Sequence, residues 1–326
     1  MTKKSCYDIT TFGEILIDFT WQGVNEEGQA VFAQNPGGAP ANVAVAAAKL
    51  GARTAFLGKA GKDMHGEFLK EVLKKENVET DGMILDEKFF TTLAFVKTAE
   101  NGERSFSFAR KPGADTRIEK EEIHTVILDQ TKIFHAGSLS LTDQPARDTT
   151  FYAVKRAKKN GSMISYDPNY RASLWKNEET AKEQMRSLIP YVDIMKISDE
   201  ETELLTGKEK PEEAAEILFQ KGVKIIAVTL GSEGAYLYCK EGGIQIPGFA
   251  SRAVDTNGAG DSFWGGFLSC YLSYDKKMED LGVEELRRCA LTGNATAGLC
   301  VQKRGGIPSI PTRKEIEEFI RERTDR

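Results

Sequence analysis

The sequence predicts one α/β domain: a doubly wound, mostly parallel β-sheet flanked by helices, with a small β-sheet lid. From residue 132 onward, short apolar runs alternate with amphipathic helical patterns, which is the order that a parallel sheet requires. Apart from the segment at about 19–34, residues 7–75 follow the same order. Two segments, at about 19–34 and 91–110, alternate between polar and apolar residues instead and predict the lid strands. No repeat or long linker interrupts residues 1–326, so a single domain is expected.

The N-terminal quarter is predicted to contain the first strand and helix. Residues 7–18 are apolar enough for a strand that is buried on both faces, and this strand ends at Asp18. Ligands of open parallel sheets bind beyond the carboxyl ends of strands, so Asp18 is a candidate contact; a solvated carboxylate is the alternative. A helix is expected between Pro40 and Gly51, which suit its first turn and its C-terminal cap. A strand over 54–58 and a helix over 63–75 follow.

Small residues precede the first helix, and one polar residue lies inside it. Gly37 and Gly38 allow the backbone to approach another group closely. Asn42 stands in an otherwise alanine-rich helix. It is either an exposed polar position or a hydrogen-bonding partner for a polar ligand.

The lid is predicted to include strands over 92–96 and 104–108, joined by Glu100-Asn-Gly-Glu. An Asn-Gly pair between alternating segments is typical of a β-hairpin turn. Phe108 ends the second strand, and Arg110 follows it and could point in the same direction.

The rest of the chain predicts the remainder of the sheet. Parallel strands are expected over 133–136, 163–167, 194–197 and 224–230, with helices from about 143, 180, 199 and 212. Two antiparallel strands over 235–239 and 244–246 follow, and then helices from 261, over 283–301 and from 312. Polar segments at 167–171, 196–201 and 229–234 follow three of the strands. Each alone is typical of caps and loops, but the ends of parallel strands meet at one edge of a sheet.

A small-residue turn, Gly258-Ala259-Gly260-Asp261, precedes an apolar helical pattern. The N–H groups at a helix N-terminus have no intrahelical partner and bind anions, above all phosphate. An aspartate there repels phosphate but can act as a base for a nucleophile that attacks phosphorus. The alternative is that Asp261 only caps the helix and the glycines only turn the chain.

Composition and charge exclude several classes of protein. The formal net charge is −5, with 44 basic and 49 acidic residues and no basic block, which argues against a nucleic-acid partner. The N-terminus lacks a signal-peptide pattern, and the longest apolar run is too short to span a membrane. Five cysteines without C-x-x-C spacing indicate reduced thiols and a cytoplasmic location, and three scattered histidines do not suggest a zinc site. A Walker A lysine motif is absent. The dinucleotide-binding pattern G-x-G-x-x-G is absent as well, and this second absence disfavours a dehydrogenase.

Two motifs resemble those of the ribokinase-like (PfkB) sugar kinases, and the resemblance extends over essentially the whole chain. They are Gly37-Gly-Ala-Pro-Ala-Asn42, with Leu50-Gly51 after it, and Asp255-Thr-Asn-Gly-Ala-Gly-Asp261. Within the family the chain is most similar to fructokinases, through Asp167-Pro-Asn-Tyr-Arg171 and Lys196-Ile-Ser-Asp-Glu-Glu201. The 2-keto-3-deoxygluconate kinases share much of the sequence of these motifs.

The resemblance implies a role for each candidate residue. Asp261 would deprotonate a primary hydroxyl of the sugar, and Gly258, Ala259 and Gly260 would stabilise the phosphoryl group in flight. The implied sugar contacts are Asp18, Gly37, Gly38, Asn42, Phe108, Arg110, Asn169 and Arg171. The implied ATP contacts are Ser198, Thr229, Gly231, Gly234 and Asn294. Glu201 would orient Mg²⁺ through water, and Asp255, Asn257, Cys300, Lys303, Gly305 and Ser309 would form a K⁺ site, mainly through carbonyls.

These observations predict an ATP-dependent kinase that converts D-fructose to fructose 6-phosphate, with Mg²⁺ and K⁺ as cofactors and no membrane partner. A 2-keto-3-deoxygluconate kinase is the alternative within the family, since Arg110 and Arg171 offer cations for an acid sugar. An inactive sugar-binding regulator is the alternative from another class, but it would not need a base at Asp261. Exposed lid strands often pair, so the lid also suggests a homodimer.

Overall fold

The computed structural model describes residues 6–98 and 104–324. Within them a ten-stranded sheet runs in the order β14-β13-β12-β11-β10-β9-β1-β4-β5, with β6 also paired to β4. The neighbouring strands between β4 and β12 in this order pair in parallel. β13 pairs antiparallel with both β12 and β14. The order reverses between β1 and β9, as in doubly wound sheets. The predicted fold class is confirmed.

The strands of the main sheet have the following bounds: β1 Tyr7–Phe12, β4 Thr54–Gly61, β5 Val78–Glu79, β6 Met83–Asp86, β9 Thr131–Gly137, β10 Met163–Asp167, β11 Ile194–Ser198, β12 Ile225–Thr229, β13 Ala235–Cys239 and β14 Gly242–Ile246. The helices are α1 Ala39–Lys49, α2 Met64–Lys75, α3 Thr125–Leu128, α4 Ala146–Lys159, α5 Glu178–Leu188, α6 Asp199–Thr206, α7 Pro211–Gln220, α8 Ala259–Ser273, α9 Val283–Cys300 and α10 Arg313–Thr324. Strands β5 and β6 and the short α3 lack a clear pattern in the sequence and were not predicted.

Helices cover both faces of the sheet. On one face, Phe134 of β9 and Met195 of β11 pack against apolar residues of α3 to α7. On the other, Ile133 and Ile194 of the same strands pack against α1, α8 and α9. Neighbouring residues of one strand thus enter different cores, which explains why these strands are apolar throughout.

The first predicted strand, residues 7–18, is in fact two strands in two sheets. β1 ends at Phe12, and β2 begins at Leu16 in the lid. Gly13 lies between them with a φ of 147°, and a Cβ there would lie 2.8 Å from Cγ of Pro40. This turn redirects the chain, so Asp18 lies within a lid strand and not at the end of a main-sheet strand.

The lid is a four-stranded sheet in the order β3-β2-β7-β8, with bounds β2 Leu16–Val24, β3 Ala30–Gly37, β7 Leu93–Thr98 and β8 Arg104–Ala109. β7 and β8 are antiparallel. The predicted Asn101-Gly102 turn between them lies outside the described residues. Asp18 is in register with Ala94, and Ala94 with Phe108, so Asp18 and Phe108 are on the same face of the lid.

Helix α8 begins earlier than predicted. Its first residue is Ala259 and its N-cap is Gly258, whose φ of 74° suits glycine. Asp261 is therefore the third helical residue, and the alternative that it caps the helix is wrong.

Candidate active site

Two cavities meet at the carboxyl edge of the main sheet. The large cleft, of about 860 Å³, is bounded by the ends of β10, β11 and β12 and by the start of α8. The lid cavity, of about 60 Å³, lies between the lid and the start of α1. The residues that line both are Asn169, Arg171, Asn257, Gly258 and Asp261. Groups bound in the two cavities would therefore face each other at Asp261.

Unpaired amides point from the start of α8 toward the large cleft. Among the described residues, the N–H groups of Gly258 and Gly260 have no hydrogen-bond partner, whereas that of Ala259 donates to the Thr256 carbonyl at 3.2 Å. Together with the positive end of the helix dipole, these amides form a site for an anion.

The carboxylate of Asp261 is held in place by the start of α1. Asn42 Nδ2 donates to Asp261 Oδ2 at 2.7 Å, and both side chains are buried. Of the two possibilities for Asn42, the exposed position is therefore wrong, and its immediate partner is the carboxylate. Oδ2 accepts this hydrogen bond, which leaves Oδ1 as the oxygen with more free capacity to accept a proton.

The surroundings of Asp261 make it a better base than an exposed aspartate. Burial and the charge of Asp167 raise the pKa of Asp261 to about 6, against the opposing effects of Asn42, Lys196 and Arg171. At neutral pH most molecules still carry the carboxylate form. A base with a pKa near the working pH combines ionisation with proton affinity.

A buried ion pair between two of the predicted polar segments lies beside the amides, and neither of its members was assigned a role of its own from the sequence. Lys196 Nζ donates to Asp167 Oδ2 at 2.9 Å, and Lys196 is 5% exposed. A Cβ on Gly260 would lie 2.9 Å from Nζ, so the ammonium group lies against the turn. Burial alone would lower the pKa of Lys196, but the carboxylates of Asp167, Glu201 and Asp261 raise it. The lysine therefore stays charged and adds positive potential where the amides converge.

Most of the predicted sugar contacts lie around the lid cavity. Asp18, Gly38, Asn42, Phe108, Asn169 and Arg171 line it. Gly37 packs against Asp18, since a Cβ there would lie 2.3 Å from Oδ2 of Asp18.

Arg110 is placed differently from its prediction. Its guanidinium group pairs with Asp115 at 2.6 Å and donates to Thr142 Oγ1 and to the Leu139 carbonyl. The side chain is buried, and it lines neither cavity. Arg110 thus fastens the end of β8 to the segment after β9.

The predicted nucleotide contacts divide into two groups. Ser198, Thr229 and Gly231 line the large cleft. Gly234 and Asn294 do not: a Cβ at Gly234 would lie 2.2 Å from the Ile246 carbonyl, and Asn294 Nδ2 donates to the carbonyls of Ile246 and Pro247. These two residues shape the end of β14 instead.

Glu201 connects two strand ends at the large cleft. Its oxygens accept the N–H groups of Tyr170, at 2.6 Å, and Ser198, at 2.8 Å. Asp199 and Glu200 line the same cleft and are exposed. This oxygen-rich, acidic wall suits Mg²⁺, which prefers carboxylates, waters and phosphate oxygens.

The predicted monovalent-cation residues are brought together behind the start of α8. Asp255 accepts the N–H groups of Asn257 and Gly305, at 3.0 and 2.9 Å. Cys300 Sγ lies 2.9 Å from Ser309 Oγ and contacts the Asn257 carbonyl. Lys303 directs its Nζ outward to Glu315, at 3.1 Å, so only its backbone can contribute.

Glu14 is a second residue that the sequence did not indicate. It is 2% exposed and lines the lid cavity, and its Oε1 accepts the Ala39 N–H at 2.9 Å. Its Oε2 is buried and has no partner among the described residues. Burial raises the pKa of Glu14 to about 7.

Among the described residues, no cluster of three or more His, Cys, Asp or Glu side chains could hold a metal ion. Within the same residues, every helix is too short or too polar to cross a membrane.

The fold and the junction of the two cavities define a small-molecule kinase. One cavity presents amides and an ammonium group to an anion, the other is polar and lies under a lid, and a carboxylate with raised basicity stands between them. The model of the pfkB family of carbohydrate kinases matches residues 7–313, and the chain belongs to this family. The resemblance inferred from the motifs is confirmed.

Several proteins similar to the chain are fructokinases. It is 41% identical over 323 residues to probable fructokinase-6, chloroplastic, of Arabidopsis thaliana, covering 98% of this chain and 83% of that protein. The crystal structure of fructokinase with bound ATP from Xylella fastidiosa matches with a TM-score of 0.89 and 33% identity, over 97% of this chain and 99% of that one. A double mutant of Vibrio cholerae O395 fructokinase, with fructose, ADP and potassium ion bound, matches with a TM-score of 0.87 and 29% identity, over 98% and 99%.

Proposed function

We propose that the protein transfers the γ-phosphoryl group of ATP to the primary hydroxyl of D-fructose, giving fructose 6-phosphate. The observation that carries this is the position of Asp261, between the lid cavity and the amides of Gly258 and Gly260. The similarity to fructokinases supports fructose as the sugar.

The sugar binds in the lid cavity. Asp18 accepts hydrogen bonds from its hydroxyls, and Asn169 and the backbone at Gly38 bind others. Phe108 covers the sugar from the lid, which keeps water away from the phosphoryl group. Arg110 acts at a distance, by fastening the lid to the body of the protein.

Asp261 starts the transfer. Oδ1 takes the proton of the primary hydroxyl, and the hydroxyl oxygen attacks the γ-phosphorus as the bond to ADP breaks. Gly258 and Gly260 donate N–H groups to the charge on the moving phosphoryl group, and the removal of one such donor typically costs about 10²–10³ in rate. Lys196 and Arg171 add positive charge on the same side.

ATP lies in the large cleft, with Ser198, Thr229 and Gly231 along it. Glu201 and its acidic neighbours would hold Mg²⁺ through water, and the ion would neutralise phosphate charge. Asp255, with the carbonyls of Asn257 and Gly305, would hold K⁺ behind the turn; Ser309 and Cys300 close that site. The ion would stiffen the turn and raise its positive potential.

A 2-keto-3-deoxygluconate kinase is a second candidate, because Arg171 is an exposed cation on the wall that both cavities share. An ADP-release assay over fructose, tagatose, ribose, glucose, adenosine and 2-keto-3-deoxygluconate, with K⁺ or with Na⁺, separates the candidates. We expect the highest kcat/KM with fructose in K⁺. A preference for the acid sugar would move the assignment to the second candidate.

Asp261→Asn tests the base directly. Fructose binding, measured by calorimetry, should be nearly unchanged while turnover falls by several orders of magnitude. Asp81→Asn, at an exposed acid that lines neither cavity, is the control and should keep most of its turnover. If the wild-type protein binds fructose but turns over none of the sugars, it is a sugar-binding regulator instead.

We also propose a homodimer that forms through the lid. Phe32 and Phe95 are 38 and 37% exposed, and their rings pack edge to face at 5.8 Å. They lie away from the lid cavity and give the lid an apolar outer surface.

The location in the cytoplasm stays a prediction. The described cysteines are all free thiols, which fits a reducing compartment. A chloroplast is the alternative that the Arabidopsis relative suggests.

A further inference from the structure

One carboxyl group at the lid cavity, that of Glu14, takes no part in the proposed phosphoryl transfer. Glu14 lies in the turn between β1 and β2, and a Cβ on Gly38 would lie 2.5 Å from its backbone carbonyl oxygen. The residue is 2% exposed and lines the cavity together with Asp18 and Asp261. Glu14 is therefore a neighbour of the groups that hold the sugar in the proposed function.

The two oxygens of the Glu14 carboxyl group differ in their surroundings. Oε1 accepts the N–H of Ala39, the first residue of α1, at 2.9 Å. Oε2 is buried and has no hydrogen-bond partner among the described residues. Buried polar atoms are nearly always hydrogen-bonded, because an unpaired one has lost its bonds to water without a replacement. A group bound in the cavity can supply the partner that Oε2 lacks.

The surroundings of Glu14 also favour its protonated form. Burial raises the pKa of Glu14 to about 7, against the effects of Arg110 and of the Ala39 N–H, while the charge of Asp115 acts in the same direction as burial. Since Oε1 already accepts a hydrogen bond, Oε2 is the oxygen that carries the proton. Below neutral pH, Oε2 is therefore a hydrogen-bond donor.

The other charged groups of the cavity leave room for such a donor. Asp18 and Asp261 are carboxylates, which only accept hydrogen bonds, and the guanidinium group of Arg171 belongs to an exposed residue on the wall shared with the large cleft. A sugar hydroxyl that donates to a carboxylate still has lone pairs that can accept hydrogen bonds. A third carboxylate would repel the first two, whereas a neutral carboxyl group can donate to a hydroxyl oxygen.

We propose that Glu14 is a specificity-determining residue of the sugar site, which donates a hydrogen bond from Oε2 to one hydroxyl oxygen of the sugar. This role rests on the proposed binding of the sugar in the lid cavity. A sugar without that hydroxyl would leave a buried donor unpaired, and sites built to hydrogen-bond a hydroxyl discriminate strongly against analogues that lack it. Glu14 thus makes the site selective for sugars that carry an oxygen at one particular position.

The donor is lost when Glu14 ionises, so the affinity for the sugar should fall above neutral pH. Calorimetry with fructose and without ATP measures binding alone. The Kd of the wild type should rise about tenfold between pH 6.5 and 8.5, because the protonated fraction of Glu14 becomes small. Glu14→Gln keeps an acceptor for the Ala39 N–H and has an N–H donor that does not titrate, so its Kd should stay within about twofold over the same range. A rise caused by any other group, Asp261 included, would occur in both proteins.

Glu14→Met fills similar space without a donor. At pH 6.5 it should bind fructose about tenfold more weakly than the wild type does, and its Kd should not depend on pH. A series of monodeoxy fructoses, each without one hydroxyl, identifies the paired oxygen. One member should lose affinity for the wild type but bind to Glu14→Met as well as fructose does, because the interaction can be removed only once. Thermal melting by circular dichroism reports whether each variant is folded, and if Glu14→Met is not, the comparison of Glu14→Gln with the wild type still decides.

Three results would overturn the role of Glu14 and leave the proposed function standing. The first is a wild-type Kd that is the same at both pH values. The second is a rise in Glu14→Gln equal to that of the wild type. The third is a folded Glu14→Met protein for which fructose and every monodeoxy analogue have their wild-type affinities. A wild type that binds fructose at neither pH would instead overturn the proposed function, and the role of Glu14 with it.

Discussion

At the residue scale, the protonation of Asp261 determines how the activity depends on pH. Since the pKa of Asp261 is raised to about 6 and the base acts when ionised, kcat/KM should fall about tenfold per pH unit below 6. Asp167→Asn removes a negative charge that raises this pKa, so the acidic limb of the profile should move to lower pH. Asp81→Asn, at an exposed acid that lines neither cavity, should leave the limb in place. An unmoved limb in Asp167→Asn would show that another group controls the profile.

Glu14 should make the stability of the protein depend on pH. Its folded pKa is about 7 against an ordinary value of 4.5, so the folded state holds a proton that the unfolded state releases. The resulting stability is fully present below pH 4.5 and is lost as pH rises through 7; the shift corresponds to about 3 kcal/mol. Glu14→Gln keeps the shape and carries no titrating group. Urea denaturation from pH 4.5 to 8 should show its stability rising relative to the wild type by about this amount, and parallel curves would contradict the linkage.

Sequence patterns identify a site residue when its chemistry is local, and fail when a distant partner decides its role. Asp261 and its glycines could be predicted because a small-residue turn before a helix leaves N–H groups without an intrahelical partner, whatever lies elsewhere in the chain. The roles of Lys196 and Glu14 could not be predicted because they depend on Asp167 and Ala39, 29 and 25 residues away. Arg110 was assigned to the substrate because the sequence shows a guanidinium group but not the buried Asp115 that pairs with it.

At the element scale, α8 is packed too closely to accept added atoms. A Cβ at Gly265 would lie 2.5 Å from Cβ of Ala46 on α1. At an exposed helical site, Gly to Ala stabilises by about 1 kcal/mol, but overpacking in a core costs roughly 1–3 kcal/mol. Gly265→Ala should therefore lower the denaturation midpoint. Ser273→Ala, at the exposed end of α8, should change it little; a Gly265→Ala protein as stable as the wild type would show that α1 and α8 can separate.

The elements themselves were predicted well where one periodicity extends over a whole element. The runs around β9 to β12 are buried on both faces, so their apolar character is continuous and their bounds agree within about two residues. A single strand was expected over residues 7–18 because β1 and the start of β2 are both apolar. Only Gly13 marks the point at which the chain passes from one sheet to the other. A turn enforced by contact with Pro40 has no local pattern.

At the scale of the whole molecule, the outer surface of the lid should determine the oligomeric state. We expect sedimentation equilibrium to show a dimer for the wild type and a monomer for Phe32→Glu, since a charge would be buried against the partner's apolar surface. Val126→Glu changes an exposed apolar residue on α3, outside the lid, and should remain dimeric. A wild-type monomer at every concentration would exclude the dimer.

The size of the lid cavity has a kinetic consequence. A volume of about 60 Å³ is small for a hexose. We therefore expect the four-stranded sheet to open when the sugar enters and again when the phosphorylated product leaves. Motion of the lid about a hinge that includes Gly13 and Arg110 would then limit the rate of turnover. Raising the solvent viscosity should therefore slow turnover even though the chemical step is unchanged.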